Sequence, residues 1–247
     1  MKSVLAIAGL DPSGGAGILA DVKTIRALGF FPSSVVTVIT FQNTCRVNGI
    51  REIEAECIER QISAVLDDLK LAGIKVGLVC SKRSAKAIAK LIKDLKIPKV
   101  VDPVIKATVG FEFSGEDVYS ILAEVCDVIT PNADEASKLS GILVRDVKSA
   151  ERAARSIADM FGCSVVITGG SLGGMDIVFD SGRVFVIEGE IVRSEIHGTG
   201  CVYSSAITCY LAKGLSLREA CRRAREFVYK AILNSAEVGR CLKVVNV

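Results

Sequence analysis

The feature that most constrains the fold is an alternation of short apolar runs with segments of helical periodicity. The runs rich in β-branched residues lie at 4–8, 35–40, 74–79, 100–103, 128–130 and 165–167. Between most of them, apolar residues recur three or four positions apart, which predicts helices. Strands that alternate with helices form a mainly parallel sheet covered on both faces. A hairpin is predicted from 177–179 to 184–187, where Asp-Ser-Gly supplies the turn.

The chain has the size and composition of one large α/β domain. Half of its 247 residues are hydrophobic, and we find no linker that would divide residues 1–247. The net charge of +3 comes from interspersed acids and bases, which argues against nucleic-acid or membrane partners. The apolar runs are too short to cross a bilayer. No signal peptide is readable after Met1, so we expect a cytoplasmic protein.

Nine cysteines are a high count for this length. None forms a Cys-x-x-Cys pair, and the single histidine excludes a Cys/His zinc site. Most cysteines have apolar neighbours, which predicts buried reduced thiols, and the missing Cys-x-x-Cys argues against a thiol oxidoreductase. Asn and Gln are scarce, a weak sign of a heat-adapted source. Intracellular disulfides occur in such organisms, so pairing stays open.

A glycine-rich segment late in the chain is the strongest chemical signal. Residues 197–201 read His-Gly-Thr-Gly-Cys and precede a helical pattern with one apolar face, which Gly214 ends. Glycines let the backbone approach a ligand closely, and the first amides of a helix attract anions. Two interpretations remain open at this point: a phosphate site formed by Gly198, Thr199 and Gly200, or a tight turn.

Two side chains that flank these glycines have equally open roles. Cys201 is expected at the helix N-terminus, where the pKa of a thiol falls, so it is either a base or a small packing residue. His197 either contacts phosphate or leads the turn. A second glycine-rich loop at 9–17 suits a phosphoryl acceptor, and its alternative is a tight strand-to-helix connection. The chain contains neither a P-loop motif nor Gly-x-Gly-x-x-Gly.

Polar residues and glycines follow most of the predicted strands. Because ligand loops lie at the carboxyl ends of parallel strands, we expect these residues to meet at one edge of the sheet. They are Asp11, Gln42, Asp102, Asn132, residues 169–170 and Gly198.

Four side chains are candidates for binding a ligand. Asp102 and Glu135 offer carboxylates of the kind that Mg²⁺ prefers, although Asp102 alternatively caps a strand and spacing alone favours a solvated Glu135. Asp21 lies inside the first helix and faces either solvent or the ligand edge. The amide of Gln42 both donates and accepts, which suits a nitrogen heterocycle, and its alternative is a satisfied loop amide.

Five segments, in this order, resemble the motifs of hydroxymethylpyrimidine/phosphomethylpyrimidine kinases of thiamine biosynthesis. The first and last motifs are specific, whereas the middle ones are shared across the ribokinase-like superfamily. The resemblance covers nearly the whole chain. The segments are AGLDPSGGAGILADVKT at 8–24, TFQNT at 40–44, VDPV at 101–104, TPNADEA at 130–136 and HGTGC at 197–201.

This resemblance implies a ribokinase-like three-layer α/β/α sandwich, usually a homodimer. It implies ATP- and Mg²⁺-dependent phosphorylation of 4-amino-5-hydroxymethyl-2-methylpyrimidine and then of its monophosphate. It places Gly9, Asp21 and Gln42 on the pyrimidine, and it makes Gly198, Thr199 and Gly200 the anion hole. Cys201 stands where related sugar and pyridoxal kinases have an aspartate base. Asn132, Thr168 and Gly170 are assigned to the nucleotide, and Asp102 and Glu135 to the metal.

The chain departs from the family pattern at three places. Leu10 stands where Ser or Thr is usual, and residues 168–171 replace a common Lys-Gly-Gly-His, which removes a cation and an imidazole near the nucleotide. The segment after Val104 is short and carries Lys106 and Phe111. The alternative functions are a pyridoxal kinase-like enzyme of the same superfamily and a non-catalytic pyrimidine-binding regulator.

Overall fold

A computed structural model describes residues 1–190 and 196–247. The strands of its main sheet are β1 (Ser3–Leu10), β2 (Phe31–Gln42), β3 (Val47–Glu52), β4 (Leu71–Val76), β5 (Lys99–Val101), β6 (Val128–Ile129), β7 (Ser164–Ile167), β8 (Met175–Asp180) and β9 (Arg183–Glu188). Two short parallel strands, β10 (Ile196–His197) and β11 (Lys243–Val244), pair separately.

The strands of the main sheet follow the order β3-β2-β1-β4-β5-β6-β7-β8-β9. The six strands from β2 to β7 pair in parallel, while β3 on one side and β8 and β9 on the other are antiparallel. The chain leaves β1 toward β2 on one side and later returns to β4 on the other. Such a switch in direction opens a crevice at the carboxyl ends of the strands.

Helices cover both faces of this sheet, which confirms the three-layer α/β/α prediction. One face packs against α1 (Gly17–Ala27), α7 (Thr199–Ala212) and α8 (Leu217–Leu233). The other packs against α2 (Ala55–Asp68), α3 (Lys82–Ile92), α4 (Glu116–Ala123), α5 (Ala133–Ser140) and α6 (Val147–Phe161). No helix among the described residues is both long and apolar enough to span a membrane.

The helix boundaries follow from local side-chain chemistry. Asn132 and Asp146 each form a capping box, in which the side chain accepts the third backbone N–H of the helix. Ser216 accepts the N–H of Glu219 at the start of α8. Glycines with positive φ follow several helices, among them Gly214 at φ 87° after α7.

Helix α7 differs from its sequence prediction because it is buried on every side. Besides its apolar residues, Ser204, Ser205 and Thr208 are buried, and Thr208 lies against Gly73 of β4. Their hydroxyls are satisfied: Ser204 donates to Asp102, Ser205 to Asp21, and Thr208 to a backbone carbonyl of its own helix. Small hydroxyl side chains therefore serve as interior residues here, beyond the single apolar face that the periodicity predicts.

Three strands have no clear sequence signal. Strand β3 is polar and half exposed because it closes an edge of the sheet, and β10 and β11 are only two residues each. The predicted strand at 74–79 ends at Val76, and β2 is longer than predicted at both ends.

The cysteines divide into one disulfide and seven free thiols. Cys45 and Cys241, both exposed, form a disulfide across 196 residues. Four of the free cysteines are buried, as predicted, whereas Cys57 is exposed. The four are Cys126, Cys163, Cys209 and Cys221.

Candidate active site

Two cavities lie next to each other at the carboxyl edge of the sheet. The first, of about 260 Å³, opens above the ends of β1, β4 and β5. The second, of about 600 Å³, lies between the β8–β9 hairpin and helices α7 and α8. Thr108, Thr168, Thr199 and Gly200 line both cavities, so the two spaces meet at the start of α7.

The structure brings all of the predicted site residues except Asp21 to these cavities. Gly170 lines the second cavity, and Thr168, Thr199 and Gly200 line both. The first cavity is lined by Gly9, Gln42, Asp102, Asn132, Glu135, Gly198 and Cys201. Asn132, assigned by resemblance to the nucleotide, thus lies on the first cavity, where its side chain also caps α5.

The early glycine loop is organised by the carboxylate of Asp11. This carboxylate accepts the backbone N–H groups of Ser13 at 2.9 Å and of Ala16 at 3.1 Å, and the hydroxyl of Ser13 at 2.9 Å. It also lies 2.7 Å from Nε2 of His197. Burial opposes the charged carboxylate, but the hydrogen bonds from His197 and Ser13 outweigh it and lower the pKa of Asp11.

His197 therefore links the glycine-rich loop at 9–17 to the turn before α7. Its Nε2 atom also lies 3.0 Å from Nε2 of Gln42, at the end of β2. Its buried Nδ1 atom has no hydrogen-bond partner among the described residues. His197 thus lies at the start of the turn, with its ring between Asp11 and Gln42, and it also lines the first cavity.

The two glycine-rich segments are in direct contact. Gly198 has φ 95°, and a Cβ atom there would lie 1.8 Å from the carbonyl oxygen of Gly15. At Gly17, with φ 58°, a Cβ atom would lie 2.4 Å from the carbonyl oxygen of Gly9. Both positions thus combine left-handed backbone with no room for a side chain. The contact of Gly198 with Gly15 brings the loop at 9–17 and the start of α7 together.

Asp21 corrects the sequence expectation, because it lines neither cavity. Its carboxylate is completely buried, 2.9 Å from Nζ of Lys75 on β4, and accepts the hydroxyl of Ser205 at 2.8 Å. Lys75 does line the first cavity, 3.8 Å from Asp102. Burial opposes its charge, but Asp21, Cys201 and Asp102 raise the pKa of Lys75 above its ordinary value. Asp21 therefore acts on the site through Lys75.

Cys201 also differs from its expectation. It lies in the first turn of α7 and lines the first cavity. Burial, with the nearby carboxylates of Asp21 and Asp102, outweighs Lys75 and raises the pKa of Cys201 to about 12. The thiol is protonated at neutral pH, so the lowered pKa expected for a helix N-terminus is wrong.

Asp102 and Glu135 present a buried acidic pair to the first cavity. Burial and the charge of Asp102 raise the pKa of Glu135 to about 8. Glu135 accepts the backbone N–H of Asn132 at 2.9 Å, and Asp102 accepts the hydroxyl of Ser204 at 3.0 Å. The solvated alternative for Glu135 is wrong, since Glu135 is buried.

This pair fits a magnesium ion that keeps other ligands. Two carboxylates that repel each other in a buried cavity are relieved by a divalent cation. No cluster of three or more acidic, His or Cys ligands occurs among the described residues. Mg²⁺ commonly binds through one or two carboxylates together with water and phosphate oxygens. The carboxylates of Asp102 and Glu135 match this coordination.

A short flap covers part of the first cavity. The backbone N–H of Ala107 donates to the carbonyl of Phe111, and that of Phe113 donates to the carbonyl of Ile105. The segment at 105–113 therefore folds back on itself. Lys106 and Phe113 line the cavity from this flap. No carboxylate among the described residues lies within ion-pair distance of Lys106.

A buried polar network forms one wall of the second cavity. Asp176 accepts the backbone N–H of Gly169 at 2.6 Å and the hydroxyl of Tyr203 at 2.7 Å, and it pairs with Arg225 at 2.6 Å. The Nε atom of Arg225 is buried with no partner among the described residues. Gly189 packs on this guanidinium, since a Cβ atom there would lie 1.8 Å from Nε.

Sequence reasoning missed Lys75, Asp176 and Arg225. A signal existed for Lys75, because a charged residue inside an otherwise apolar strand requires a buried partner. Asp176 and Arg225 carry no such signal. Asp176 lies in a hairpin strand and Arg225 in a helix rich in charged residues, so both read as ordinary surface positions.

Comparison with known proteins agrees with this geometry. The family model described as phosphomethylpyrimidine kinase matches residues 11–246. A hydroxymethylpyrimidine/phosphomethylpyrimidine kinase of Aquifex aeolicus is 32% identical over 251 residues, which cover 98% of each chain. A thiamine biosynthesis bifunctional protein of Geobacter sulfurreducens is 38% identical over 96% of this chain, which spans 50% of that relative's length.

The solved structures extend the comparison to a second kinase. An ADP complex of Bacillus subtilis pyridoxal kinase has a TM-score of 0.89 and 33% identity, covering 100% of this chain and 97% of that one. With a family model that matches almost the entire sequence, the chain belongs to the phosphomethylpyrimidine kinase family.

Proposed function

We propose that this protein transfers the γ-phosphoryl group of ATP to 4-amino-5-hydroxymethyl-2-methylpyrimidine, and then to its monophosphate, in thiamine biosynthesis. The observation that carries the proposal is the meeting of two cavities at Thr199 and Gly200. A phosphoryl transfer needs an acceptor and a donor on either side of a site that stabilises negative charge. The first backbone amides of α7 supply that site.

The first cavity is the acceptor side of the proposal. Its volume of about 260 Å³ suits a single small ring, and the amide of Gln42 offers both donor and acceptor to a heterocycle. His197 and Asp11 hold the loop around it. Gly9 also lines this cavity, and its lack of a side chain lets Val38 and Leu78 pack against its backbone, since a Cβ atom there would lie 2.8 Å from Val38 and 2.9 Å from Leu78.

The second cavity is the nucleotide side. The pyridoxal kinase similar to this chain binds ADP, and the larger volume suits a nucleotide. Residues 168–171 lack the common cation, but Arg225 supplies a guanidinium to the same cavity. Asp176 and Gly189 hold it in place. We propose that Arg225 serves the nucleotide in place of the missing lysine.

The chemistry rests mainly on position and electrostatics. Amides of Gly198, Thr199 and Gly200 stabilise charge on the transferred phosphoryl, and Asp102 and Glu135 would hold Mg²⁺, which neutralises phosphate charge when bound. The Cys201 thiol lines the acceptor cavity and is neutral. It therefore does not act as the base that removes the proton of the substrate hydroxyl. This resembles phosphoryl transfers in which the protein contributes little covalent chemistry.

One experiment tests the activity directly. ADP release is measured with Mg²⁺–ATP and, separately, the hydroxymethylpyrimidine, its monophosphate and pyridoxal. The proposal predicts turnover with both pyrimidines at a kcat/KM well above that for pyridoxal. Pyridoxal as the better substrate would favour the alternative kinase, to which the structural similarity also points. Calorimetric binding of pyrimidine without ADP release would favour the regulator.

The second phosphorylation has a candidate residue of its own. A monophosphate acceptor brings two negative charges into the first cavity, and Lys106 is a cation there with no carboxylate partner among the described residues. In Lys106→Met, turnover of the monophosphate is expected to fall while that of the free alcohol persists.

We also propose a cytoplasmic homodimer. Phe31 is exposed at the start of β2, and Ile39 and Phe41 at its end, so each end of this strand presents apolar surface that a second copy would cover. Sedimentation analysis of the purified chain tests this assembly.

A further inference from the structure

The C-terminal end of the chain lies directly beneath the acceptor site. Strand β11 pairs with β10, so that His197 lies opposite Val244, and the N–H of Val245 donates to the carbonyl of His197 at 3.0 Å. The N–H of Leu242 donates to the carbonyl of Thr44, two residues after Gln42. Residues 242–245 therefore bridge the end of β2 and the turn before α7.

The same strand supports both glycine segments. A Cβ atom at Gly15 would lie 2.7 Å from Cγ1 of Val244, and one at Gly198 would lie 3.0 Å from Cγ1 of Val245. Both valines are buried.

A covalent link holds this end in place. Cys241 precedes β11 by two residues and is joined to Cys45, three residues after Gln42. A crosslink between residues 196 apart strongly limits the freedom of the tail. Without it, the described tail depends on a few backbone hydrogen bonds and two buried valines.

We propose that the Cys45–Cys241 disulfide is a positioning element for the acceptor side of the reaction. It holds β11 against His197 and Gly15, and thereby keeps His197 beside Gln42. The kinetic part of this inference rests on the proposed function, whereas its structural part does not. The direct contacts of residues 242–245 with Gly15, His197 and Thr44 are all on the acceptor side. The second cavity is reached only indirectly, through the pairing of β11 with Ile196 and the apolar cluster of Val245, so we expect a smaller effect on the nucleotide than on the pyrimidine.

The disulfide forms and opens by thiol exchange. A small-molecule disulfide oxidises the two thiols: each loses its proton, the two sulfurs bond, and the oxidant is released as two thiols. A dithiol reductant reverses this and becomes a cyclic disulfide. Both cysteines are exposed, so both reagents reach them.

The test compares the oxidised and reduced protein. Alkylation followed by mass spectrometry should show Cys45 and Cys241 protected before reduction, and exposed Cys57 modified in both states. On reduction, the KM for the pyrimidine is expected to rise by about tenfold, while the KM for ATP stays within about twofold. A substrate that is held less well in position has a higher KM of its own, whereas the KM of the other substrate changes little.

Variants separate the crosslink from general effects of reductant. The double variant Cys45→Ser/Cys241→Ser should show the raised pyrimidine KM without reductant and no further change with it. The matched control Cys57→Ser should behave like the unaltered protein in both states. Reoxidation should restore the KM of the unaltered protein and leave the double variant unchanged.

Hydrogen exchange gives a readout that needs no activity. The amides of Leu242 and Val245 should exchange faster after reduction, whereas those in the core of β4 should not change. Alkylation of Cys45 and Cys241 before reduction, equal exchange in both states, or an unchanged pyrimidine KM in an active enzyme each overturns the inference. If no acceptor is phosphorylated, the proposed function fails and exchange alone decides the inference.

Discussion

The ammonium group of Lys75 lies 2.9 Å from the carboxylate of Asp21, and neither side chain is exposed to solvent. Each charge is tolerated in the core because the other is present. Ser205 adds a hydrogen bond to Asp21, and Asp102 lies 3.8 Å from Lys75. The pair thus connects helix α1 with strand β4 directly behind the acceptor cavity.

Removing one member of this pair should lower the stability of the folded protein. We expect Lys75→Met to lower the free energy of unfolding by about 3–5 kcal/mol, because Asp21 keeps a buried charge without its partner. The double variant Lys75→Met/Asp21→Leu should recover part of that loss. Urea unfolding of the three proteins measures this, and equal losses in the single and double variants would contradict it.

The link between Asp11 and His197 should make stability depend on pH. Its hydrogen bonds lower the pKa of Asp11 below the ordinary 3.8, so this stabilisation is complete above pH 3.8 and is lost as pH falls through the lower folded value. We expect Asp11→Asn to lose most stability near pH 7, and the difference from the unaltered protein to shrink in acid. Urea unfolding across pH measures it, with exposed Asp94→Asn as the control. A constant difference would refute the prediction.

Cys201 should be dispensable as a base. With the pKa of its thiol raised to about 12, almost none is ionised at neutral pH. We expect Cys201→Ala to keep kcat within about tenfold, below the 10²–10⁴ typical of a lost general base. Buried Cys209→Ala in the same helix controls for packing loss. A fall of more than about a thousandfold in the Cys201 variant alone would restore the catalytic role.

Gly198 and Gly200, two glycines of the proposed anion hole, should respond differently to replacement by alanine. Gly198→Ala places a Cβ atom 1.8 Å from the carbonyl of Gly15 at φ 95°, so we expect a loss of at least about 1–3 kcal/mol together with activity. Gly200 has open space around it, so Gly200→Ala should keep its stability within about 1 kcal/mol. Thermal unfolding and kcat measured on both variants test this, and similar losses of stability would count against the described turn.

Glu135 should make the magnesium requirement depend on pH. Its pKa of about 8 means that a cation must displace a proton at neutral pH, so the Mg²⁺ concentration for half-maximal rate should fall as pH rises toward 8. Glu135→Gln removes that proton and should flatten the dependence. Initial rates across Mg²⁺ and pH measure it. An equal pH dependence in both proteins would assign the effect to another group.

The sequence by itself determined the order of strands and helices and the kind of residue that follows each strand. The parallel strands β2 and β5 end at one edge, so Gln42 and Asp102 lie there by topology. The segment at 197–201 follows β10, outside the main sheet, and reaches that edge through tertiary contacts. The glycine at 198 predicts a close approach of backbone, and its contact with Gly15 confirms this, whereas Gly200 has open space around it. These features are local, or follow from general rules of sheet topology.

Only the tertiary structure decided which charges pair and which groups ionise. Asp21 and Lys75 are 54 residues apart, and Cys45 and Cys241 are 196 apart, so no local pattern connects them. The pKa of Cys201 was predicted from its place on a helix, but its burial beside two carboxylates reversed the direction. Desolvation and Coulomb interactions depend on what packs around a group in space, and spacing along the chain does not contain that information.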